Sequence, residues 1–242
     1  MGTPYTYLTR WHTTEEFEQR RREWFRRKRA LELVGVGFLS ARAYKADAFP
    51  NGCNLYEIDD FSIFDTEEYK SLRTDDPFVA EIWSDFTYNF KTFYEQIVVV
   101  GGEGACLDPV PSLSGGAISL LYFDASDPDE VSSWFGSHVV GTSAEGVRSF
   151  RLWRQIYEHP RPTQREAKWC AVIEWATTTF DDGSILRAAA SSGAIEVSRS
   201  DVLRKWYGLE QFILTKYLVF VWHHGEWSAG RSCHGAPYPL SR

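Results

Sequence analysis

The chain has 242 residues, with 26 Lys and Arg against 33 Asp and Glu, for a net charge of -7. That surplus of negative charge excludes a general nucleic-acid or anionic-membrane surface, because both need a positive field. A hydrophobic share of 43% with 24% charged residues excludes a disordered chain, and an aromatic share of 16% supplies more flat apolar surface than a minimal core requires, either for packing large sheets or for lining a ligand cavity.

In chain order, Met1 to Tyr5 holds no cationic stretch ahead of an apolar one, so no secretory signal is expected. Tyr5 to Trp11 alternates as a strand, and Thr13-Thr14-Glu15-Glu16 opens a helix that runs through Trp24-Phe25 to about Leu33. Gly35 and Gly37 break it. Strands are predicted over Phe38 to Ala46 and Asn54 to Ile58, with the turn residues Pro50-Asn51-Gly52 between them, then a helix over Thr66 to Arg73 and a long strand over Phe86 to Val100. The stretch Gly101 to Gly116 reads as a linker.

The same order then begins again. Ile118 to Phe123 is a strand, and Asp127-Pro128 caps a helix in which Trp134-Phe135 matches Trp24-Phe25. Gly146 to Arg151 matches Gly37 to Arg42, Trp153 falls opposite Tyr44, and Val172-Ile173-Glu174 matches Leu55-Tyr56-Glu57. Phe180-Asp181 aligns with Phe64-Asp65 ahead of a second helix, and Leu209-Glu210-Gln211-Phe212 aligns with Tyr94-Glu95-Gln96-Ile97. Self-similarity in this order is the signature of a repeated unit. The unit is a ferredoxin-like βαββαβ motif, an α+β plan whose sheet carries both helices on one face. Two copies bury each other's bare sheet faces, which predicts an intrachain pseudo-dimeric α+β barrel, with repeats at 1–100 and 117–222, the linker at 101–116 and a tail at 223–242.

At these residues the chain resembles the dimeric α+β barrel superfamily and, within it, the EthD-like group. Trp134-Phe135-Gly136-Ser137-His138 matches the group's helix with its His, and Leu55-Tyr56-Glu57-Ile58 matches its Tyr-Glu strand. Lys28 stands where the His would be in the first repeat, and Ile173 where the Tyr would be in the second. The resemblance implies that the second half keeps the chemistry. It also implies a superfamily range from cofactor-free monooxygenases, isomerases and lyases to haem enzymes.

His138 is the expected acid/base, since imidazole both takes and gives a proton near neutral pH. Arg151 would stabilise developing negative charge, and Glu174, buried beside Trp175 and Trp153, would serve as a second acid or base. Trp134, Tyr122 and Trp153 would shape the substrate cavity, with Trp11, Arg42 and Tyr56 as further substrate-binding residues. Pairing of Arg42 and Arg151 with Glu57 and Glu174 on a neighbouring strand is the structural alternative. The basic residues at 20–22 and 26–29, Lys28 among the arginines, read as a solvated helix face. His223, His224, Cys233 and His234 lack a standard zinc spacing, so no metal is expected, and the cysteines read as reduced thiols.

These readings converge on a cofactor-independent lyase or isomerase that moves protons on a small aromatic or apolar metabolite, with a cofactor-free oxygenase as a variant. A haem protein with His138 as axial ligand is the alternative, and a non-catalytic binding or assembly module is a third reading. The protein is expected to be cytoplasmic, with a small-molecule substrate, no nucleic-acid or membrane partner and a homodimer compatible with the fold.

Overall fold

The structure, a computed structural model, describes residues 4–46, 48–74, 76–104, 106–107, 111–142, 145–156, 167–177, 195–214 and 217–224. Its first half runs β1 (Tyr5–His12), α1 (Glu15–Trp24), a π-helical turn at Phe25–Arg29, α2 (Ala30–Gly35), β2 (Ser40–Ala46), β3 (Gly52–Ile58), α3 (Glu67–Thr74), α4 (Pro77–Asp85) and β4 (Tyr88–Gly101). The second runs β5 (Ala117–Phe123), α5 (Pro128–Trp134), a π-helical turn at Phe135–Val139, β6 (Val147–Gln155), β7 (Trp169–Trp175), β8 (Val197–Leu214) and β9 (Tyr217–His224). The second helix expected at Phe180-Asp181, and Cys233 and His234 of the tail, lie outside the described residues. Among those described, no helix is long and apolar enough to cross a membrane.

Strands follow one another as β2-β3-β1-β4-β6-β7-β5-β8, and β8 closes back onto β2. Each half therefore has the ferredoxin-like strand order, and the two sheets are joined at both edges into one closed antiparallel barrel of eight strands. The seams correspond. β4 leaves β1 and pairs with β6 from Tyr94↔Gln155 to Gly101↔Ser149, while β8 leaves β5 and pairs with β2 from Leu203↔Ala46 to Glu210↔Ser40. These registers make Glu210 equivalent to Gly101, so the sequence alignment of Glu210 with Glu95 is six residues out; each long strand carries one bulge, so the bulges cancel, and the offset comes from the longer connection into β4, which includes α4. Gly37 and Gly146 sit at φ 115 and 85 ahead of β2 and β6, a left-handed conformation that glycine adopts without a Cβ penalty. β9 pairs with β8 beyond the end of β5.

Two features were not anticipated. α4 is additional to the βαββαβ plan; Asp76 caps it by accepting from the Phe78 N–H at 3.0 Å, with Pro77 in the first turn. β9 extends the strand count to nine.

Side chains alternate between the barrel interior and the helix-covered outside, as the pleat requires. The interior is filled by Leu8, Tyr44, Leu55, Tyr94, Tyr122 and Trp153 with smaller neighbours. It also holds two ion pairs at equivalent places. Arg42 donates to Glu57 at 2.8 Å, with Ser40 donating to the same carboxylate at 2.7 Å. Arg151 donates to Glu174 at 3.2 Å and to Gln96 at 2.9 Å, and Ser149 and the Ser114 and Gly115 amides complete the shell of Glu174. All four charged residues are at most 2% exposed. A third pair, Arg10 with Asp201 at 2.8 Å, ties β1 to β8 across the two halves. Cys53, Cys106 and Cys170 are free thiols.

Burial opposes ionisation of Glu57, Glu174 and Glu18, yet all three carboxyls are held below the ordinary range: Glu57 and Glu174 chiefly by Arg42 and Arg151, Glu18 by Arg21 and Arg22. The unfolded chain then binds more protons than the folded one near and below the ordinary carboxylate pKa of about 4.3, so stability is full above that pH and falls as pH drops through the folded values. Urea midpoints measured from pH 7 to pH 3 are expected to decline below about pH 4.5, and Glu57→Gln should flatten that decline. A midpoint independent of pH would contradict it.

Candidate active site

The outer face of the first-half sheet differs from the outer face of the second. On β1, Tyr7, Thr9 and Trp11 point towards the helices, and on β3 Asn54 and Tyr56 do so from the neighbouring rungs Thr9↔Asn54 and Tyr7↔Tyr56. The helical run α1–α2 crosses above them with Arg21, Trp24 and Arg29, and α4 with its exit adds Val79 and Phe86. Between these layers lies a cavity of about 120 Å³. An apolar cavity of about 150 Å³ holds a benzene ring, so the space matches one six-membered ring.

Each wall is fixed by a nameable contact. The Trp11 indole lies over Gly52, where a Cβ would come within 2.1 Å of Nε1. Its N–H donates to Glu18 at 3.2 Å, and the Arg21 guanidinium stacks 4.0 Å above its ring while donating to the same carboxylate at 2.7 and 2.9 Å. Trp24 donates to Asp76 at 2.8 Å, which links the end of α1 to the start of α4; Lys28, in the π-helical turn, adds an ion pair to Asp76 at 3.1 Å. Gly52→Ala is expected to push the indole off its seat, break the bond to Glu18 and cost about 1–3 kcal/mol in thermal unfolding, the usual range for overpacking. An unchanged melting temperature would contradict this seating.

Tyr56 and Asn54 are the polar pair in the floor. The Asn54 amide donates to the Tyr56 hydroxyl at 2.7 Å, which leaves the phenolic proton of Tyr56 directed elsewhere. Asn54 is 6% exposed and its Oδ1 is buried without a partner. Burial pushes the Tyr56 phenol up to about 12, with Arg29, the Asn54 amide and Arg21 acting in the opposite sense. Tyr56 is therefore a protonated hydrogen-bond donor at neutral pH.

The second half carries different residues at the equivalent positions. By strand register, Thr9, Asn54 and Tyr56 correspond to Leu121, Ala171 and Ile173, and Gly52 corresponds to Trp169. Those apolar side chains pack with Phe123, Trp134 and Phe135 into a buried core cluster, with the Phe123 and Trp134 rings 4.7 Å apart. An indole stands where the first half has only a glycine.

The residues expected to act together are consequently separated. Trp134 is buried in this second-half core, and His138 sits half-buried on the π-helical turn beside it, with Nδ1 buried and unpartnered. Arg151 and Glu174 project from the opposite face of the same sheet, since Phe150, Leu152 and Ile173, which alternate with them, carry the helix-facing core. There they bond to each other inside the barrel, as Arg42 does to Glu57, so pairing with the neighbouring strand explains both arginines. Tyr122 and Trp153 are interior as well, and burial raises the Tyr122 phenol. Of the expected set, only Trp11 and Tyr56 meet at the cavity. Thr9, Arg21, Trp24, Arg29 and Asn54 were missed. Aligning the halves gives a signal for two of them, Thr9 against Leu121 and Asn54 against Ala171, a polar residue in one copy against an apolar residue in the other.

A closed antiparallel barrel of two ferredoxin-like halves is the dimeric α+β barrel fold. No family model and no curated protein matches the chain. Among solved structures it is similar to an anthrone oxidase-like protein, at 12% identity and a TM-score of 0.58 over 86% of this chain and 93% of that one. It is also similar to a candidate chlorite dismutase, at 10% identity and a TM-score of 0.53 over 85% and 95% of the two chains. A candidate monooxygenase from Fusobacterium nucleatum subsp. nucleatum gives 11% identity and a TM-score of 0.52 over 84% and 93%. At these identities the likeness establishes the shared fold.

Proposed function

We propose that the protein is a cofactor-independent enzyme acting on a small aromatic metabolite in the first-half cavity, by chemistry that develops negative charge on a substrate oxygen. The observation that carries this is the Asn54–Tyr56 pair: a buried phenol that receives a hydrogen bond, keeps its proton at neutral pH and lies in an aromatic-walled cavity of one-ring size. Tyr56 would donate to the substrate oxygen and hold an enolate or phenolate as it forms, the role of a fixed donor in a water-poor site. Trp11 and Trp24 would fix the ring plane, and Arg21 and Arg29 would supply positive field. Isomerase or lyase chemistry is served by these parts, and a substrate oxidised directly by oxygen would use the same stabilised anion. The names of the anthrone oxidase-like and monooxygenase neighbours accord with the oxygenase variant.

The test is a panel of small aromatic ketones and phenols in D2O, followed by NMR for exchange or conversion. The comparison is a variant carrying the second-half residues at three cavity positions, Thr9→Leu, Asn54→Ala and Tyr56→Ile. Turnover by the native chain and none by the variant is expected; equal rates would reject this cavity as the site.

A haem protein is the second reading, favoured by the buried, unpartnered Nδ1 of His138. That imidazole meets the donor requirement of haem ligation. The space requirement is not met among the described residues, because Trp134, Phe135 and Val139 fill the sheet face beside it. The first-half cavity is smaller than a porphyrin, and no His, Cys or Met lines it. Haem added to the purified chain is expected to give no Soret shift; a shift lost in His138→Ala would establish this reading instead.

The pairwise match of interior residues, Arg42 with Arg151 and Glu57 with Glu174, supports descent of the halves from one duplicated EthD-like unit. A homodimer would use the outer edge of β9, which no described strand pairs.

A further inference from the structure

The cavity lining carries a charge pattern that packing does not require. Three cationic residues, Arg21, Arg29 and Lys91, line it, and among the described lining residues there is no carboxylate. They are not equivalent. Arg21 is 2% exposed and bonded through two nitrogens to Glu18, so its charge is compensated from behind. Arg29 donates through Nη1 to the Leu72 carbonyl at 2.9 Å and has its carboxylate neighbour, Glu32, at 3.7 Å, which leaves its positive charge less neutralised. An aromatic cavity with an excess of guanidinium suits a planar anion, because the guanidinium fork matches a carboxylate edge to edge.

The floor adds a second requirement. Among the described residues Oδ1 of Asn54 is a buried acceptor with no partner, and leaving such a group unmatched is unfavourable. Its match is an O–H or N–H on the ligand. Tyr56 beside it offers the complementary donor.

Resting on the reading of this cavity as the active site, we propose that its ligand is a single-ring aromatic carboxylate carrying a hydroxyl or amino substituent. The carboxylate meets Arg29 on the helix side. The ring lies between Trp11 and Trp24, and the substituent donates to Asn54 Oδ1 while its heteroatom accepts from Tyr56.

Titration calorimetry on the full chain with 4-hydroxybenzoate, benzoate, benzamide and phenol tests the assignment. 4-Hydroxybenzoate should bind most tightly, and benzoate at least tenfold more tightly than its neutral isostere benzamide. Arg29→Met should lower the affinity for both acids roughly tenfold to hundredfold, the worth of one charged hydrogen bond, and erase the preference over benzamide. Arg29→Lys, which keeps the charge, should retain that preference if the methionine variant fails to fold. Benzamide binding as tightly as benzoate, or no binding of either acid at millimolar concentration, overturns the ligand class. Binding lost in the triple Thr9→Leu, Asn54→Ala, Tyr56→Ile variant then still supports the cavity as the site, whereas acids that bind the triple variant as well as the native chain refute the site itself.

Discussion

Arg42→Met is expected to destabilise the protein by about 3–5 kcal/mol, the range found when one partner of a buried ion pair is removed. Glu57 would remain with its Ser40 hydrogen bond but without the guanidinium that offsets burial, in an interior where both residues are 0% exposed. The carboxyl would respond by taking up a proton, so the loss should be largest at neutral pH and smaller in mild acid. Replacing both partners, Arg42→Met with Glu57→Leu, should recover much of the loss, because no charge is then stranded. Urea unfolding followed by tryptophan fluorescence reads all three variants. A single substitution costing under about 1 kcal/mol, the typical value of an exposed pair, would mean that water reaches the barrel interior. Retained turnover in the double variant would show that the interior arginines hold the scaffold rather than the substrate.

Tyr56→Phe is expected to lower turnover by about a hundredfold to a thousandfold while binding of the aromatic ligand changes much less, as for loss of one donor to a developing oxyanion. The ring and its stacking on Tyr7 at 5.4 Å persist, so the cavity keeps its shape. The Asn54 amide loses its acceptor, which should cost about 1 kcal/mol or somewhat more in stability. Steady-state kinetics on the best substrate of the NMR panel, beside calorimetric affinities, separates the two effects. A rise in KM at constant kcat would make Tyr56 a residue of uniform binding rather than of charge stabilisation. An unchanged rate would remove it from the mechanism.

The fold was legible because it rests on local signals repeated twice. Capping residues at Thr14 and Asp127, glycines at 37 and 146 and the paired Trp-Phe steps mark the same elements in each half, and the Arg and Glu positions of the interior pairs matched in register. α4 had its own signal in Asp76-Pro77, of the same kind as Asp127-Pro128. The last strand of each half was misaligned because the connection into β4, which carries α4, is longer than the connection into β8, and side-chain alternation does not report the length of a connection.

The amino-acid sequence by itself determined the two-unit plan and the alternation of side chains along each strand, and it left the pairing of the two Arg–Glu couples as one of two readings. Which side of the sheet each residue faces was decided only by closure of the barrel. That closure sends Arg151 and Glu174 inward and Trp134 outward, although they are near in sequence terms to a single imagined site, because successive residues of a strand point to opposite faces. The location of the cavity was likewise tertiary. It depends on Gly52 lying beneath Trp11 where Trp169 fills the corresponding place, and on the free space left between two layers once every larger side chain is seated. Periodicity reports that a residue is buried; only the packed neighbours decide whether the space beside it is filled.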